Sequence, residues 1–361
     1  MLFEPITISQ LSIPNRFVRS ATHEWLALDD GTPTSQIGDI YEELAKGGVG
    51  LIITGYSYVN PHGKSSDKQQ GIYEDRFIIP YSGIVERVHA HGSKIVAQIV
   101  HGGRQSLVSK DNPVALAPSA VIDTSSGITP REMTESEILA TIEDFAQAAL
   151  RVKKAGFDGV QLHCAHGFLL SEFISPHTNR RDDGWGGSVE NRTRIIVTII
   201  KRIHELVGGD GGEDFSILVK LNVMDGVDGG LDAPECVEIA RILADNGVCA
   251  IEVSGGIMEA GSVMSRPGIN SADKEAYFKK YAKMIRDAVD IPIILVGGIR
   301  TRVVMESLIE DGYADMISMS RPLILEPDLV AKLKSGKVDG ASCVSCNKCF
   351  DPRGIRCNYE G

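Results

Sequence analysis

Short apolar runs alternate with segments of helical periodicity along most of the chain. Both faces of these runs are hydrophobic, as in Val-Gly-Leu-Ile-Ile-Thr at residues 49–54, which is typical of strands buried in a parallel sheet. We predict strands at residues 17–21, 49–54, 94–99, 158–163, 216–222, 250–254, 292–296 and 314–319, preceded by a hairpin at residues 6–13. We predict helices at residues 35–47, 79–92, 134–155, 188–207, 233–246, 274–289, 301–310 and 327–334.

The order of these elements decides the fold class. Strands that alternate with helices predict an α/β fold in which a parallel sheet is covered by helices. Eight strand–helix units in 361 residues fit a closed (β/α)8 TIM barrel with loop insertions. An open doubly wound sheet would place a Gly-x-Gly-x-x-Gly turn after the first strand, whereas this chain has Ser-Ala-Thr-His at residues 20–23. We therefore expect a barrel at residues 1–335, including the N-terminal hairpin, and a short cysteine-rich tail at residues 336–361.

Charge and hydropathy narrow the classes of partner. The formal net charge of −11 argues against a nucleic-acid partner, which would require a basic surface. No apolar stretch approaches the length of a membrane span, and residues 1–10 contain no basic region followed by an apolar run. We therefore expect a cytoplasmic protein with no nucleic-acid or membrane partner. The sequence leaves a homo-oligomer open.

The fourth predicted strand leads into two histidines, His163 and His166. In parallel barrels the chemistry collects at the carboxyl ends of the strands, so two imidazoles at this point favour a functional site over a packing role. Zinc is an alternative, because imidazole is its commonest nitrogen ligand, but no third ligand stands at helical spacing nearby. A site for an anion or a carbonyl group is therefore preferred to a metal site.

The loops after the last two predicted barrel strands suit a phosphate group. Gly297 and Gly298 follow the seventh strand, and Ser320 and Arg321 follow the eighth. Barrels often bind phosphate at these two loops through backbone N–H groups, a helix N-terminus and an arginine. A glycine pair alone would indicate only a tight turn, but Arg321 in the matching place favours phosphate binding.

Two polar residues on predicted strands suit a flavin ring. Gln98 can both donate and accept hydrogen bonds at an amide-like ring edge. Lys220 lies at an inward position of its strand, where a buried cation costs free energy unless it is paired. A cation in this place would stabilise the negative charge that develops on a reduced flavin.

The chain also resembles a known family over residues 3–333. The run His-Cys-Ala-His-Gly-Phe-Leu-Leu-Ser-Glu-Phe-Ile-Ser-Pro, followed by Asn-Arg-Arg-Asp-Asp-Gly-Trp-Gly-Gly-Ser-Val-Glu-Asn-Arg, resembles the signature of the old yellow enzyme family of FMN-dependent oxidoreductases. The resemblance implies that NAD(P)H reduces FMN, which then passes hydride to the β-carbon of a small α,β-unsaturated carbonyl substrate. It implies that His163 and His166 bind the carbonyl oxygen. By the same resemblance, the residues that contact FMN are Ala21, Thr22, His23, Gly55, Gln98, Lys220, Gly298, Ser320 and Arg321.

One position departs from the family pattern. Phe168 stands two residues after His166, where family reductases usually have a tyrosine that gives a proton to the substrate. Phenylalanine has no proton to give, so hydride transfer is expected to survive while assisted protonation of the α-carbon is in doubt. Water, His23, Tyr56 or Tyr58 could supply the proton, and the sequence does not select one.

Three alternatives to reduction of a C=C bond stay open at this point. Oxidative demethylation or dehydrogenation of N-methyl amines would use the same scaffold and needs no α-carbon proton donor. A phosphate-binding barrel lyase or isomerase would need no flavin, and a non-catalytic interaction module would use an inactive barrel. The colour of the purified protein separates the two flavin enzymes from the other two classes.

Four of the seven cysteines crowd into the tail. Cys343, Cys346, Cys349 and Cys357 have the spacing C-x2-C-x2-C-x7-C, which is typical of a zinc site or an iron–sulfur cluster. A disulfide framework is disfavoured without a secretory signal. The tail also resembles the region after the barrel in 2,4-dienoyl-CoA reductase and trimethylamine dehydrogenase, which implies a 4Fe-4S cluster. A cluster, zinc and reduced thiols all stay open, with the cluster slightly ahead of zinc.

Overall fold

The computed structural model describes residues 1–110, 112–208 and 215–359. Strands and helices alternate along these ranges, as the sequence predicts. The β-strands are β1 (Ile6–Ile8), β2 (Leu11–Ile13), β3 (Phe17–Arg19), β4 (Leu51–Ile53), β5 (Ser57–Tyr58), β6 (Lys94–Val100), β7 (Leu116–Ala117), β8 (Arg131–Glu132), β9 (Gly159–Cys164), β10 (Ser216–Asn222), β11 (Ala250–Ser254), β12 (Ile293–Leu295) and β13 (Met316–Met319). The α-helices are α1 (Ser35–Lys46), α2 (Ile78–His89), α3 (Glu135–Lys154), α4 (Leu169–Ile174), α5 (Val189–Val207), α6 (Ala233–Asp245), α7 (Lys279–Arg286), α8 (Arg302–Glu310), α9 (Arg321–Leu325) and α10 (Leu329–Lys334).

Eight of the strands form a closed parallel barrel. Their order around the barrel is β3, β4, β6, β9, β10, β11, β12 and β13, and β13 pairs with β3 to close the ring. The register places Leu51 opposite Lys94 and Val96 opposite Gly159. The predicted (β/α)8 barrel is therefore confirmed.

The predicted N-terminal hairpin covers one end of the barrel. Strands β1 and β2 pair antiparallel, with Ile6 opposite Ile13. Ile8 and Ile13 are fully buried against apolar residues near the amino ends of the barrel strands, among them Val18 and Leu218. Because this end is filled with apolar side chains, the opposite end, where the strands terminate, is the one left for polar groups.

A second and larger core fills the space between the strands and the helices around them. Two of these helices begin where sequence signals predict. The Thr134 side chain accepts a hydrogen bond from the Glu137 N–H, and the Glu137 carboxylate accepts one from the Thr134 N–H, which forms a capping box at the start of α3. The Ser188 hydroxyl accepts a hydrogen bond from the Asn191 N–H at the start of α5.

Helices α4, α7 and α9 differ most from the sequence prediction. Helices α4 and α9 follow strands β9 and β13 closely and were not predicted, because segments of 6 and 5 residues are too short to show a helical period. Helix α7 begins at Lys279 instead of residue 274, since Ala276 has a φ of 51°, a left-handed conformation that a right-handed helix cannot include. In the described ranges, no helix is long and apolar enough to cross a membrane.

The cysteine-rich tail folds back over the barrel. Within residues 336–359, the Ser345 carbonyl accepts a hydrogen bond of 3.0 Å from the Gly268 N–H. The Ile355 N–H donates one of 2.9 Å to the Glu24 carbonyl. The tail therefore packs against loops at the carboxyl ends of the barrel strands, and its last two residues lie outside the described ranges.

Candidate active site

A cavity of about 470 Å³ opens at the carboxyl ends of the barrel strands. This volume is typical of sites that bind cofactors and small ligands. Residues from the ends of β3, β6, β9, β10, β12 and β13 meet in its wall. The sequence-predicted residues that line it are Ala21, Thr22, His23, Gln98, His163, His166, Lys220, Gly298, Ser320 and Arg321.

His163 and His166 lie side by side in the cavity wall. His163 is on β9, opposite Lys220 of β10 in the parallel register. His166 follows the strand with a φ of 65°, and its ring lies 5.2 Å from that of His163 at an angle of 84°. His166 Nε2 is 2.7 Å from Ser254 Oγ, whereas His163 Nδ1 has no hydrogen-bond partner among the described residues. The pair therefore has hydrogen-bonding capacity for a ligand.

Both imidazoles are neutral at neutral pH. Burial lowers the pKa of His166 to about 3, and the Lys220 charge adds to this shift. Burial also lowers the pKa of His163 well below its ordinary value, and His166 and Lys220 add to it. Because each neutral imidazole has one N–H, the pair can donate two hydrogen bonds without placing another cation beside Lys220.

A buried chain of hydrogen bonds connects Gln98 to Lys220. Gln98 Nε2 donates to Gln161 Oε1 over 2.7 Å, and Gln161 Nε2 donates to Glu252 Oε2 over 3.0 Å. Lys220 Nζ lies 3.2 Å from the same Glu252 oxygen and 2.9 Å from Ser20 Oγ. Burial acts to raise the pKa of Glu252, but Lys220 and the hydroxyl and amide donors outweigh it and lower that pKa. The Lys220 charge is therefore paired, while Gln98 Oε1 has no partner among the described residues.

The loops after β12 and β13 build another part of the wall. Gly298 has a φ of 73°, and a Cβ atom there would lie 2.9 Å from the ring of Tyr277, so that only glycine fits. Arg321 Nη1 donates to the Arg266 carbonyl over 2.8 Å and to Asn347 Oδ1 over 2.6 Å. A fixed guanidinium and a glycine loop in the same part of the wall fit a phosphate group.

Two of the predicted residues, Gly55 and Gly297, lie beside the cavity and do not line it. The Gly55 N–H donates to the Tyr41 hydroxyl over 2.9 Å and to Glu24 Oε1 over 3.2 Å, and the Glu24 carboxylate occupies the space of a Gly55 side chain. Gly297 has a φ of 136° and packs against Phe278. Their contact with a cofactor stays a prediction.

The structure adds residues that the sequence argument did not nominate. Trp25, Tyr277 and Phe350 contribute aromatic rings to the wall. Trp25 stands only two residues after His23, whereas Tyr277 lies in a connection and Phe350 in the tail, and the sequence specifies the path of neither. Glu252 had a signal that could have been used: it is a charged residue inside the apolar run Ala-Ile-Glu-Val-Ser.

The four tail cysteines differ in burial. Cys349 is buried, Cys357 is exposed, Cys343 and Cys346 are half-buried, and all four are free thiols. Among the described residues, no group of three or more His, Cys, Asp or Glu side chains is placed to hold a metal ion. As folded here, these thiols do not fit a cluster or zinc, and the metal prediction rests on their spacing and on the resemblance of the tail.

The cavity, in contrast, fits FMN. The unpaired Gln98 Oε1 and the charge of Lys220 match the polar edge of an isoalloxazine ring. Arg321 and the Gly298 loop match its phosphate. Aliphatic side chains such as Met319 provide apolar surface for the ring between these groups. A single cavity therefore contains residues that match the polar ring edge, the apolar ring surface and the phosphate of FMN.

Comparison with known proteins also indicates a flavin-dependent oxidoreductase family. Residues 1–339 match the model of the NADH:flavin oxidoreductase / NADH oxidase family. The chain is 38% identical over 349 residues to the NADH oxidase of Thermoanaerobacter brockii, which covers 96% of this chain and 52% of that protein. It is 35% identical over 331 residues to the NADPH dehydrogenase of Bacillus subtilis (strain 168), and this match covers 90% of this chain and 92% of that protein. The solved old yellow enzyme homologue of Zymomonas mobilis matches with a TM-score of 0.79 and 26% identity over 95% of each chain.

These matches differ in how much of each relative they cover. The chain spans about half the length of the Thermoanaerobacter protein and nearly all of the Bacillus protein. The family match includes every barrel strand and all ten sequence-predicted residues of the cavity wall. The resemblance found in the sequence is thereby confirmed, and the chain belongs to the NADH:flavin oxidoreductase / NADH oxidase family.

Proposed function

We propose that this protein is an FMN-dependent oxidoreductase that uses NAD(P)H to reduce the C=C bond of α,β-unsaturated carbonyl compounds. The observation that carries the proposal is the pair of neutral imidazoles, His163 and His166, in the wall of a cavity that fits FMN. FMN bound there would supply the hydride chemistry, taking a hydride from NAD(P)H and giving it to the substrate.

The residues of the cavity have separate roles in this proposal. His163 and His166 donate hydrogen bonds to the carbonyl oxygen of the substrate, which polarises the conjugated system and makes its β-carbon electrophilic. Lys220, held by Glu252, stabilises negative charge on the reduced ring. Arg321 holds the phosphate and thereby fixes the position of the ring relative to the histidines.

Oxidation of N-methyl amines is the second candidate, since Phe168 is compatible with it. The electrostatics of the cavity argue against it. Lys220, Arg300 and Arg321 line the cavity, and among the described residues that line it there is no aspartate or glutamate. A cationic amine would therefore meet positive charge without a carboxylate partner, which is costly for a desolvated cation. A neutral carbonyl compound suits this wall better.

The first experiment is a test for bound flavin and its acceptor. The purified protein should be yellow, and denaturation should release FMN instead of FAD. NADH or NADPH should bleach the flavin under anaerobic conditions, and cyclohexenone should restore its colour. A colourless protein that also fails to take up added FMN would overturn the proposal, and it would favour a flavin-free barrel enzyme.

The four tail cysteines need their own measurement. Their spacing supports an iron–sulfur cluster or zinc, whereas their arrangement as folded here does not fit either. No step of the proposed reaction therefore passes through them. Iron, sulfide and zinc contents of anaerobically purified protein decide the matter, with Cys349→Ala as the comparison. Stoichiometric iron and sulfide in the wild type, lost in the variant, would establish a cluster.

A further inference from the structure

Reduction of a C=C bond needs a proton at the α-carbon as well as a hydride at the β-carbon. Phe168 lines the cavity at the place where the proton-donating tyrosine was expected, and its ring lies 4.8 Å from that of His163. Phe168 has no proton to donate. The proton must therefore come from another group in the wall or from water, and the positions of the nearby side-chain donors distinguish them.

Two phenols line the cavity, Tyr56 and Tyr277. The Tyr277 hydroxyl donates to the Met264 carbonyl over 3.3 Å, and its ring packs against Gly298 in the phosphate-binding loop. Tyr58 does not line the cavity, and its hydroxyl donates to the Asp30 carbonyl over 3.1 Å. Tyr277 and Tyr58 are therefore both engaged elsewhere.

Tyr56 is placed differently. Its ring lies 5.3 Å from that of Phe168 and 6.2 Å from that of His163, so it occupies the same part of the wall as the missing tyrosine. Among the described residues, the hydrogen bond recorded for Tyr56 is the one that its backbone carbonyl accepts from Gln69 Nε2 over 3.2 Å, and its hydroxyl takes part in none. A phenol with an uncommitted hydroxyl therefore stands beside the histidines that hold the carbonyl oxygen.

His23 is the remaining donor that the sequence left open. Its Nε2 lies 3.0 Å from Ser66 Oγ and 3.2 Å from the Asp67 carbonyl. Burial lowers the pKa of His23 to about 4, so the ring is neutral and its one N–H is engaged with these partners. Burial also raises the pKa of Tyr56, with Glu24 adding to the shift, so this phenol keeps its proton at neutral pH.

We propose that Tyr56 is the catalytic proton donor of this enzyme, in place of the tyrosine that Phe168 replaces. The inference rests on the proposed reduction of unsaturated carbonyl compounds. Bound FMN, reduced by NAD(P)H, would supply the hydride that bonds to the β-carbon, and the substrate would then be an enolate. The enolate electron pair then forms a C–H bond at the α-carbon as the O–H bond of Tyr56 breaks. Water entering the cavity returns a proton to the tyrosinate.

The test uses the holoenzyme and the variant Tyr56→Phe. Stopped-flow reoxidation of the NADPH-reduced flavin by cyclohexenone should slow by about 10²–10⁴-fold, the usual contribution of a general acid. Flavin reduction by NADPH should keep its rate, because it needs no such donor. The long-wavelength band of bound 4-hydroxybenzaldehyde should keep its amplitude and midpoint, which shows that the histidines and the flavin are still in place.

The double variant Tyr56→Phe/Phe168→Tyr separates donation from a structural effect. It moves the phenol to the neighbouring position and should recover most of the lost rate. Tyr58→Phe is the matched control, because this tyrosine lies outside the cavity wall, and it should behave as wild type.

Two results would overturn the assignment of Tyr56 as proton donor and leave the proposed function intact. One is a loss smaller than about tenfold in Tyr56→Phe, which would make water the donor. The other is a larger loss that weakens ligand binding and that Phe168→Tyr does not recover. If the wild type, with its flavin reduced, fails to react with any unsaturated carbonyl compound, the proposed function falls and this inference falls with it.

Discussion

Arg321 Nη1 donates a hydrogen bond of 2.6 Å to Oδ1 of Asn347, and this contact joins the end of the last barrel strand to the cysteine-rich tail. Asn347 Nδ2 in turn donates to the Ser265 carbonyl over 2.9 Å. The side chain of Asn347 therefore holds the guanidinium in the cavity wall from the tail side. Retention of FMN should therefore depend on the tail.

The first prediction concerns this contact. Asn347→Ala should raise the Kd of FMN about 2- to 10-fold, because one net hydrogen bond contributes about 0.5–1.5 kcal/mol and about 1.4 kcal/mol corresponds to a factor of ten. The measurement is fluorescence titration of the apoprotein with FMN. Asn358→Ala is the control, since the hydrogen bonds of Asn358 in the described part of the chain stay within the tail. Equal FMN affinity in the Asn347 variant and the wild type would contradict the positioning role.

The second prediction concerns the histidine pair. The double variant His163→Ala/His166→Ala should retain FMN, because the residues predicted to contact the flavin lie on other strands and their loops. It should lose the long-wavelength band that 4-hydroxybenzaldehyde gives with the wild type. Each hydrogen bond to a buried anion contributes about 1.5–3 kcal/mol, so ligand affinity should fall by at least about tenfold for each histidine.

The matched control for this double variant is His62→Ala, which changes an exposed histidine outside the cavity wall. It should bind the phenol as the wild type does. If the double variant binds 4-hydroxybenzaldehyde with wild-type affinity, then His163 and His166 do not hold the substrate oxygen.

The third prediction concerns the dependence of stability on pH. Burial lowers the pKa of His101 to about 4, and His62 adds to the shift. In the unfolded chain a histidine has a pKa of about 6.5, so the unfolded state binds more protons below that pH. The contribution of a neutral His101 is therefore complete above about pH 6.5 and falls by about 1.4 kcal/mol per pH unit below it, until the pH approaches the folded pKa.

The direction of this pH dependence of stability can be measured with the variant His101→Gln. Between pH 7 and pH 5 the free energy of unfolding in urea should fall by about 2 kcal/mol more for the wild type than for the variant. Glutamine retains an acceptor for the Gly103 N–H, which donates to His101 Nδ1 over 3.1 Å. An equal fall in both proteins would show that protonation of His101 does not contribute to acid unfolding.

The sequence predicts those parts of the fold that depend on the local pattern of apolar and polar residues. The apolar runs at Ser216–Asn222 and Ala250–Ser254 have the bounds that the sequence predicts. Lys220 stands out there because a charge among apolar neighbours is costly without a partner. The partner itself, Glu252, became clear only when the register of β10 and β11 placed the two residues opposite each other.

The sequence could not predict which tyrosine reaches the cavity wall. Tyr56 and Tyr58 are two residues apart, so alternation along an extended chain places both on the same side and cannot separate them. In the fold, Tyr58 belongs to the short strand β5 and stacks on Tyr73, with ring centroids 5.2 Å apart, whereas Tyr56 reaches the cavity wall. Contacts between distant segments, such as Arg321 with Asn347, depend on loop paths in the same way.

The last prediction is for Phe168→Tyr in an otherwise wild-type chain. The Phe168 ring lies 5.3 Å from that of Tyr56, so the new hydroxyl enters a part of the wall that already contains a phenol. Because Tyr56 is proposed to supply the proton, the variant should change the rate of flavin reoxidation by cyclohexenone by less than about threefold, whereas an enzyme without a donor would gain about 10²–10⁴-fold. Stopped-flow traces of the NADPH-reduced holoenzyme measure this rate, with flavin reduction as the internal control. A gain of about 100-fold or more would mean that the wild type lacks a donor, and Tyr56 would lose its assigned role. If neither protein reacts with cyclohexenone while an N-methyl amine bleaches the flavin, amine oxidation should replace the reduction of unsaturated carbonyl compounds as the function.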